Sequence, residues 1–280
     1  MKPEVINEYY IVNGNLKKSS DLSIFDKMTK PPIYEIIRVV NGVPLFLEDH
    51  LARMYDSAAL IKHEINTSES KIREEIKETI LKNNVVNGNI KLMSGEADDI
   101  GSVFIVFCVA SFYPPKEYYE NGINTILYNY ERDNPNAKVL VTSFKEDVQL
   151  EMKGKNAFEA LLVRRDGYIP EGSRSNIFFV MGEKIYTAPK EEILLGITRK
   201  HLFKIAGILN IEIIEESIHK DDLNKLEGAF MTGTSVNILP IARIDDISLG
   251  SVNNKIINNL NNMYNKLINE YVEKNKYLWK

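Results

Sequence analysis

The residues from Glu171 to Arg199 are of types that could do chemistry together. Glu171-Gly172-Ser173-Arg174-Ser175 places an acid at a Gly/Ser-rich turn, and Asn176-Ile177-Phe178-Phe179 continues as an apolar strand. After a turn at Gly182, a second short strand, Ile185-Tyr186-Thr187, leads to Leu194-Leu195-Gly196-Ile197-Thr198-Arg199. The Gly-Ile-Thr step there opens a helix. Free backbone N–H groups at a helix start, joined by a threonine hydroxyl, favour an anion and most often a phosphate. An acid and a phosphate cradle in one supersecondary unit fit a phosphorylated ligand that also carries a basic atom. Alone, Gly196-Ile197-Thr198 reads better as an ordinary capped helix start; the whole stretch does not.

The stretch resembles the class IV pyridoxal-phosphate (PLP) aminotransferases, which include branched-chain and D-amino acid aminotransferases and aminodeoxychorismate lyase. The matching elements are Glu-x-Ser-x-x-Asn-Ile-Phe from Glu171, then Thr187, then Leu-x-Gly-Ile-x-Arg from Leu194. The resemblance extends from Tyr34 to Pro240. It implies an α+β, two-domain class IV PLP-enzyme fold of the D-amino acid aminotransferase-like type. Residues 1–115 would form a smaller N-terminal α/β domain and 116–280 a larger C-terminal PLP-binding domain. It also implies a homodimer.

PLP chemistry needs a lysine that bonds the cofactor and then moves a proton, a charge partner for the pyridine nitrogen, and an anchored phosphate. Composition cannot single out one lysine. In the family the lysine precedes an aromatic-Glu-Ala-Leu strand, here Phe158-Glu159-Ala160-Leu161, and counting back reaches Lys138, with Lys145 as a rival. By the same resemblance Glu171 partners the pyridine nitrogen. Arg53, in His50-Leu51-Ala52-Arg53-Met54, would reach the phosphate, for which a guanidinium is well suited. His50 is read as structural. Ile197, Thr198 and the Gly233-Thr234 turn of Met231-Thr232-Gly233-Thr234-Ser235 would add phosphate donors. Tyr34 takes an active-site aromatic position; Arg38 and Lys91 are candidates for a substrate carboxylate, but each reads first as part of an exposed strand face.

The elements that must position these residues follow from periodicity. Glu8–Val12, Ile33–Val40, Asn89–Met93 and Val103–Ala110 read as strands, with hairpin turns at Asn13-Gly14 and Asn41-Gly42. Residues 19–32 read as irregular, since Pro31-Pro32 suits neither a helix nor a central strand. Glu48–Ile61 and a segment from Thr67 or Ser68 to about Asn83 have helical spacing. Beyond a connector at Pro114-Pro115, strands are expected at Ile123–Tyr128, Lys138–Phe144, Ala157–Val163, Asn210–Glu215 and Ala229–Thr232. Glu146–Lys153 reads as a weak helix, and Asp221-Asp222 as the start of a short one. The helix after Gly196 is expected to end on a Gly207 C-cap. A long closing helix, Val252 to about Val272, would carry Ile256, Leu260, Met263, Leu267 and Tyr271 on one face.

The 280 residues are 44% apolar, enough for a substantial core. A net charge of −4 gives no electrostatic case for nucleic acid. The single cysteine, Cys108, allows no intrachain disulfide and fits a reducing cytoplasm. The apolar run Ser102–Tyr113 is too short for a bilayer, which takes roughly 20 residues. No metal-ligand cluster is evident among His50, His63, His201, His219 and Cys108.

The chain departs from the family in two places. Phe25-Asp26-Lys27-Met28-Thr29-Lys30-Pro31-Pro32 stands where a glycine-rich loop is usual at the substrate entrance. Val139-Leu140-Val141-Thr142-Ser143 stands where an asparagine or tyrosine usually meets the cofactor's phenolic oxygen, so that hydrogen bond would be either absent or replaced by one from a hydroxyl. The Arg-x-His carboxylate trap of D-amino acid enzymes has no counterpart in Ser94–Asp99, which favours branched-chain substrates. Two alternatives stand beside an aminotransferase: a lyase of the aminodeoxychorismate type, and a non-catalytic PLP binder. A serine hydrolase is excluded, because a nucleophile elbow needs glycine where Asn176 stands.

Overall fold

The computed structural model describes residues 4–132, 136–139 and 143–279, leaving aside the side chains of 143–145. The chain divides into two units. One comprises Met1–Phe112, Ala137–Leu140 and Ile268–Lys280; the other comprises Tyr113–Asn136 and Val141–Leu267.

The first unit is built on an antiparallel sheet. Its strands are β1 (Tyr9–Val12), β2 (Asn15–Lys18), β3 (Ile33–Val40), β4 (Val43–Pro44), β5 (Gly88–Ala97) and β6 (Gly101–Val109), in the order β2-β1-β6-β5-β3-β4. Helices α1 (Leu47–Leu60) and α2 (Glu69–Lys82) are inserted between β4 and β5. The Asn-Gly turns fall as expected, with left-handed φ at Asn13 and Gly14 (48° and 77°) and at Asn41 and Gly42 (51° and 77°). This geometry matches the strand twist. Ser68 caps α2, its hydroxyl accepting from the Lys71 N–H at 3.3 Å. Strand alternation splits the sheet into two faces. Ile33, Ile37 and Val39 of β3 join Ile90 and Leu92 of β5, and Leu51, Met54, Ile72 and Ile76 of the two helices, in one core. Tyr34 and Ile36 face the opposite side, with Met93, Ile105 and Phe107.

The second unit holds α3 (Lys116–Asn121), β7 (Ile123–Asn129), α4 (Ser143–Gly154), β8 (Glu159–Val163), β9 (Tyr168–Ile169), β10 (Asn176–Met181) and β11 (Lys184–Thr187). It continues with α5 (Ile197–Ile208), β12 (Ile213–Glu215), β13 (Ile218–His219), β14 (Gly228–Gly233), β15 (Asn237–Ile244) and β16 (Ile247–Ser248). A mixed sheet runs β12-β11-β10-β14-β15-β7-β8, with β16 beside β15 and the pair β9-β13 apart. The final helix, α6 (Lys255–Asn275), passes from the second unit into the first.

Three expectations are corrected. Ser143 and Phe144 open α4 instead of ending a strand, and Val139 makes only an isolated bridge to Ile33. The first-turn positions were masked in the sequence by the β-branched run before them. Gly207 lies inside α5; the left-handed residue past the helix end is Asn210 (φ 55°), a type that tolerates this conformation. The buried stripe of α6 is Ile257, Leu260, Tyr264, Ile268 and Val272, so only Leu260 belongs to the expected face. Two neighbouring apolar stripes share that helix, and helical spacing alone fits both.

Candidate active site

In the first unit the chemistry gathers around β3. Glu35 points to the helix-covered face and is fully buried. Its Oε1 accepts from Arg53 Nε at 2.7 Å and its Oε2 from Arg53 Nη2 at 2.6 Å, a fork-to-fork pair. His50 Nδ1 lies 2.7 Å from Oε2. His50 and Arg53 meet one carboxylate because they lie one turn apart on α1. Burial alone would raise the Glu35 carboxyl. The Arg53 charge and the hydrogen bonds from His50 and Arg53 outweigh it and hold the group at about 2. Burial, aided by the Arg53 and Lys138 charges, moves His50 below its usual range against the pull of Glu35. The ring is therefore neutral near pH 7 and donates from Nδ1. His50 is thus structural, as expected.

The other face of β3 carries Tyr34. Lys138 is tied to it through the backbone, the Tyr34 N–H donating to the Lys138 carbonyl at 3.1 Å. The Lys138 N–H donates to Ser57 Oγ of α1 at 3.3 Å. Lys138 Nζ stands 4.8 Å from the Tyr34 ring centroid, within cation–π range. Lys91 approaches the same ring at 5.0 Å. The sheet register explains this, since Ile36 pairs with Lys91 and Tyr34 with Met93. An exposed strand face for Lys91 is overturned: the residue is 2% exposed and its Nζ lies 2.6 Å from Glu4 Oε2. Arg38 is half-buried, further along β3 on the Tyr34 face. The rival Lys145 side chain and the hydroxyl positions Thr142 and Ser143 lie outside the described residues.

In the second unit Glu171 is 4% exposed. Its backbone is pinned to β8, the Leu162 N–H donating to the Glu171 carbonyl at 2.9 Å and the Ser173 N–H to the Ala160 carbonyl at 2.8 Å. Gly172 permits the tight turn, because a Cβ there would run into Ser175 Oγ. Beneath it Glu159, fully buried, accepts from Ser173 Oγ at 2.5 Å and from Ser175 Oγ at 2.8 Å. Sequence reasoning used Glu159 only to locate Lys138. The signal for its role was an acid inside an otherwise apolar strand, with two serines on the following turn.

The Glu171 carboxylate lies 2.8 Å from Arg132 Nε through Oε1, and its Oε2 accepts from the Leu194 N–H at 3.4 Å. Asn176 binds the same loop. Its Nδ2 donates to the Leu194 carbonyl at 2.8 Å and its Oδ1 accepts from the Gly196 N–H at 3.0 Å. Glu171 and the start of α5 are thereby brought together. Gly196, at the N-cap, offers no capping side chain. A Cβ there would strike Asn176 Oδ1. The first N–H groups of an α-helix have no partner within the helix, and at α5 no side chain caps them. Thr198 Oγ1 is within 3.3 Å of the Tyr264 hydroxyl. On the neighbouring strand Thr232 pairs with Asn176, and its buried hydroxyl has no hydrogen-bond partner. Gly233 and Thr234 follow at the end of β14. Thr187 is structural, its hydroxyl donating to the Ile177 carbonyl at 2.8 Å.

Among the described residues no group of His, Cys, Asp and Glu is arranged to hold a metal, and no helix is long and apolar enough to cross a membrane. Cys108 is buried and its thiol is pushed up to about 12 by burial, so it is unreactive.

A helix start without a side-chain cap thus lies beside a buried acid in the second unit. A family model for class IV amino-transferases matches residues 32–244, and the chain belongs to that family. It is 31% identical over 253 residues to a putative branched-chain-amino-acid aminotransferase of Methanocaldococcus jannaschii, covering 84% of this chain and 87% of that one. It is 29% identical over 229 residues to a D-alanine aminotransferase of Bacillus licheniformis, covering 78% and 81%. Its fold is that of the Escherichia coli branched-chain amino acid aminotransferase, with a TM-score of 0.85 at 23% identity over 94% and 95% of the two chains.

Proposed function

We propose that the protein is a PLP-dependent aminotransferase that moves an amino group between an amino acid of branched-chain type and a 2-oxo acid. The observation that carries this reading is the cluster of Glu171, Asn176 and Gly196, which sets a buried carboxylate beside an uncapped helix start. The residues fit a phosphorylated pyridine. The orphaned Thr232 hydroxyl is a donor that an acceptor would satisfy, and no side chain caps the start of α5. When bound, PLP supplies an electron sink that makes the substrate Cα–H acidic.

Lys138 Nζ would hold the cofactor aldehyde and, as a free amine, take the Cα proton and deliver it to the other carbon. The Tyr34 ring against Nζ limits where that amine can swing. Glu171 would keep the pyridine nitrogen protonated. Ile197, Thr198, Gly233, Thr234 and Arg53 would hold the phosphate, with Glu35 fixing the plane of the Arg53 guanidinium. Arg38 and Lys91 would meet the substrate carboxylate from the Tyr34 face. A cytoplasmic homodimer accompanies this reading, supported by the family.

The test is the visible spectrum of the purified protein with PLP. A cofactor band that Lys138→Ala abolishes and that L-leucine bleaches supports the assignment. A band that no amino acid alters turns the reading to a lyase or a non-catalytic binder, and no band at all removes Lys138 from its role.

A further inference from the structure

We propose that Arg132 is a positioning residue that acts through Glu171, weakening that carboxylate as a base so that the proton stays on the cofactor's ring nitrogen. The inference rests on the reading of Glu171 as the ring-nitrogen partner.

Arg132 follows β7 and reaches back to the turn that carries Glu171. Its Nε stands 2.8 Å from Glu171 Oε1, and its Nη2 donates to the Ser173 carbonyl at 2.7 Å. One guanidinium therefore pairs by charge with the acid and hydrogen-bonds the turn that presents it. Ser173 is itself locked from below by Glu159. The pair borders a cavity of about 110 Å³ whose other charged groups are Glu131, Arg164 and Glu192. Arg164 is engaged elsewhere, with Nη1 2.6 Å from Glu192 and Nη2 2.9 Å from Asp166. Among the described residues lining this cavity, Arg132 is the cation set against Glu171.

The chemical consequence follows from the competition for one proton. In a hydrogen bond between a pyridine nitrogen and a carboxylate, the proton rests with the stronger base. A cation against the carboxylate lowers its proton affinity more than that of the more distant nitrogen. Arg132 thereby favours the pyridinium, the form that accepts electrons from the substrate. Its second bond, to Ser173, keeps the carboxylate from following the proton.

The experiment is the ¹⁵N resonance of holoenzyme reconstituted with PLP labelled at the ring nitrogen, in wild type, R132Q, R132K and E171Q. In R132Q the resonance is expected to move toward the neutral-pyridine position. R132K, which keeps the charge without the two-point grip, is expected to move the same way by a smaller amount. If R132Q does not fold, the R132K shift decides alone. No movement, or movement toward the pyridinium position, overturns the proposal. E171Q separates the two readings. If E171Q leaves the resonance unchanged, the role of Glu171 falls and this inference with it. If E171Q shifts while the Arg132 variants do not, only the inference fails.

Discussion

At the scale of single residues, Glu35 has the largest consequences for stability. It is a fully buried charge with two partners on one helix, and removing a member of such a set leaves the others uncompensated. Glu35→Gln is expected to cost about 3 kcal/mol at pH 7, read from urea unfolding, and to weaken PLP binding by freeing Arg53. The pH dependence has a definite sign. Glu35 is held at about 2, below its ordinary 4.5, so its contribution is complete above 4.5 and is lost as pH falls toward 2. His50 is shifted below 6.5, so the unfolded chain takes up its proton first and stability also falls as pH drops below that value. Wild type should lose stability on acidification, and Glu35→Gln should flatten the lower part of that curve. The structural place of His50 could be read from the sequence, but the burial of Glu35 beneath it could not. An acid at an alternate strand position reads as exposed, and only α1, packed across the sheet, turns it inward. The meeting of Glu171, Asn176 and Gly196 could be read because these three lie within one stretch of chain; Arg132, the ion-pair partner of Glu171, lies outside it and could not. Lys91 escaped the sequence because β5 lies inside the sheet, between β6 and β3, with the Tyr34 and Phe107 rings beside its Nζ.

At the scale of elements, the hairpin β1-β2 and helix α2 show how a local rule leaves a global cost. The Asn13-Gly14 turn could be read directly, and so could the stripe of Ile72, Ile76 and Ile80. What could not be read is that Glu75, on the same helix, lies under the turn. A Cβ added to Gly14 would stand 3.5 Å from Glu75 Oε1. The residue is buried and neither carboxylate oxygen makes a hydrogen bond of good geometry. Burial pushes it up to about 7, despite Lys71 and the Gly14 N–H, which favour the charged form, and with Glu74 and Glu78 opposing it. Its folded value exceeds the ordinary 4.5, so between those values the folded chain binds the extra proton, and stability falls as pH rises toward 7. Glu75→Gln should stabilise the protein at pH 8 by on the order of 1–2 kcal/mol, after allowance for screening, and by little at pH 4.5. Thermal melts at the two pH values check this.

At the scale of the whole molecule, the end of α6 belongs to the unit that begins the chain. Tyr271 donates from its hydroxyl to Glu48 Oε2 at 2.8 Å and packs its ring 4.8 Å from that of Phe46. Lys77 Nζ donates to the Leu278 carbonyl at 3.1 Å, and Trp279 packs on the core beneath α1 and α2. Removing the residues after Leu267 strips this cover and is expected to cost about 3–5 kcal/mol. Urea unfolding, with limited proteolysis to show cutting in residues 47–82, measures it. The sequence marked a closing helix but not where its last turns dock, because long-range packing has no local period.

The Tyr271–Glu48 bond joins positions 223 apart in the chain. During synthesis, the sheet and both helices of the first unit leave the ribosome long before the residues that seal them. The second unit is threaded between those two events, so its strands can pair while the first unit still waits with apolar surface uncovered. Apolar surface left uncovered over such an interval is prone to aggregation.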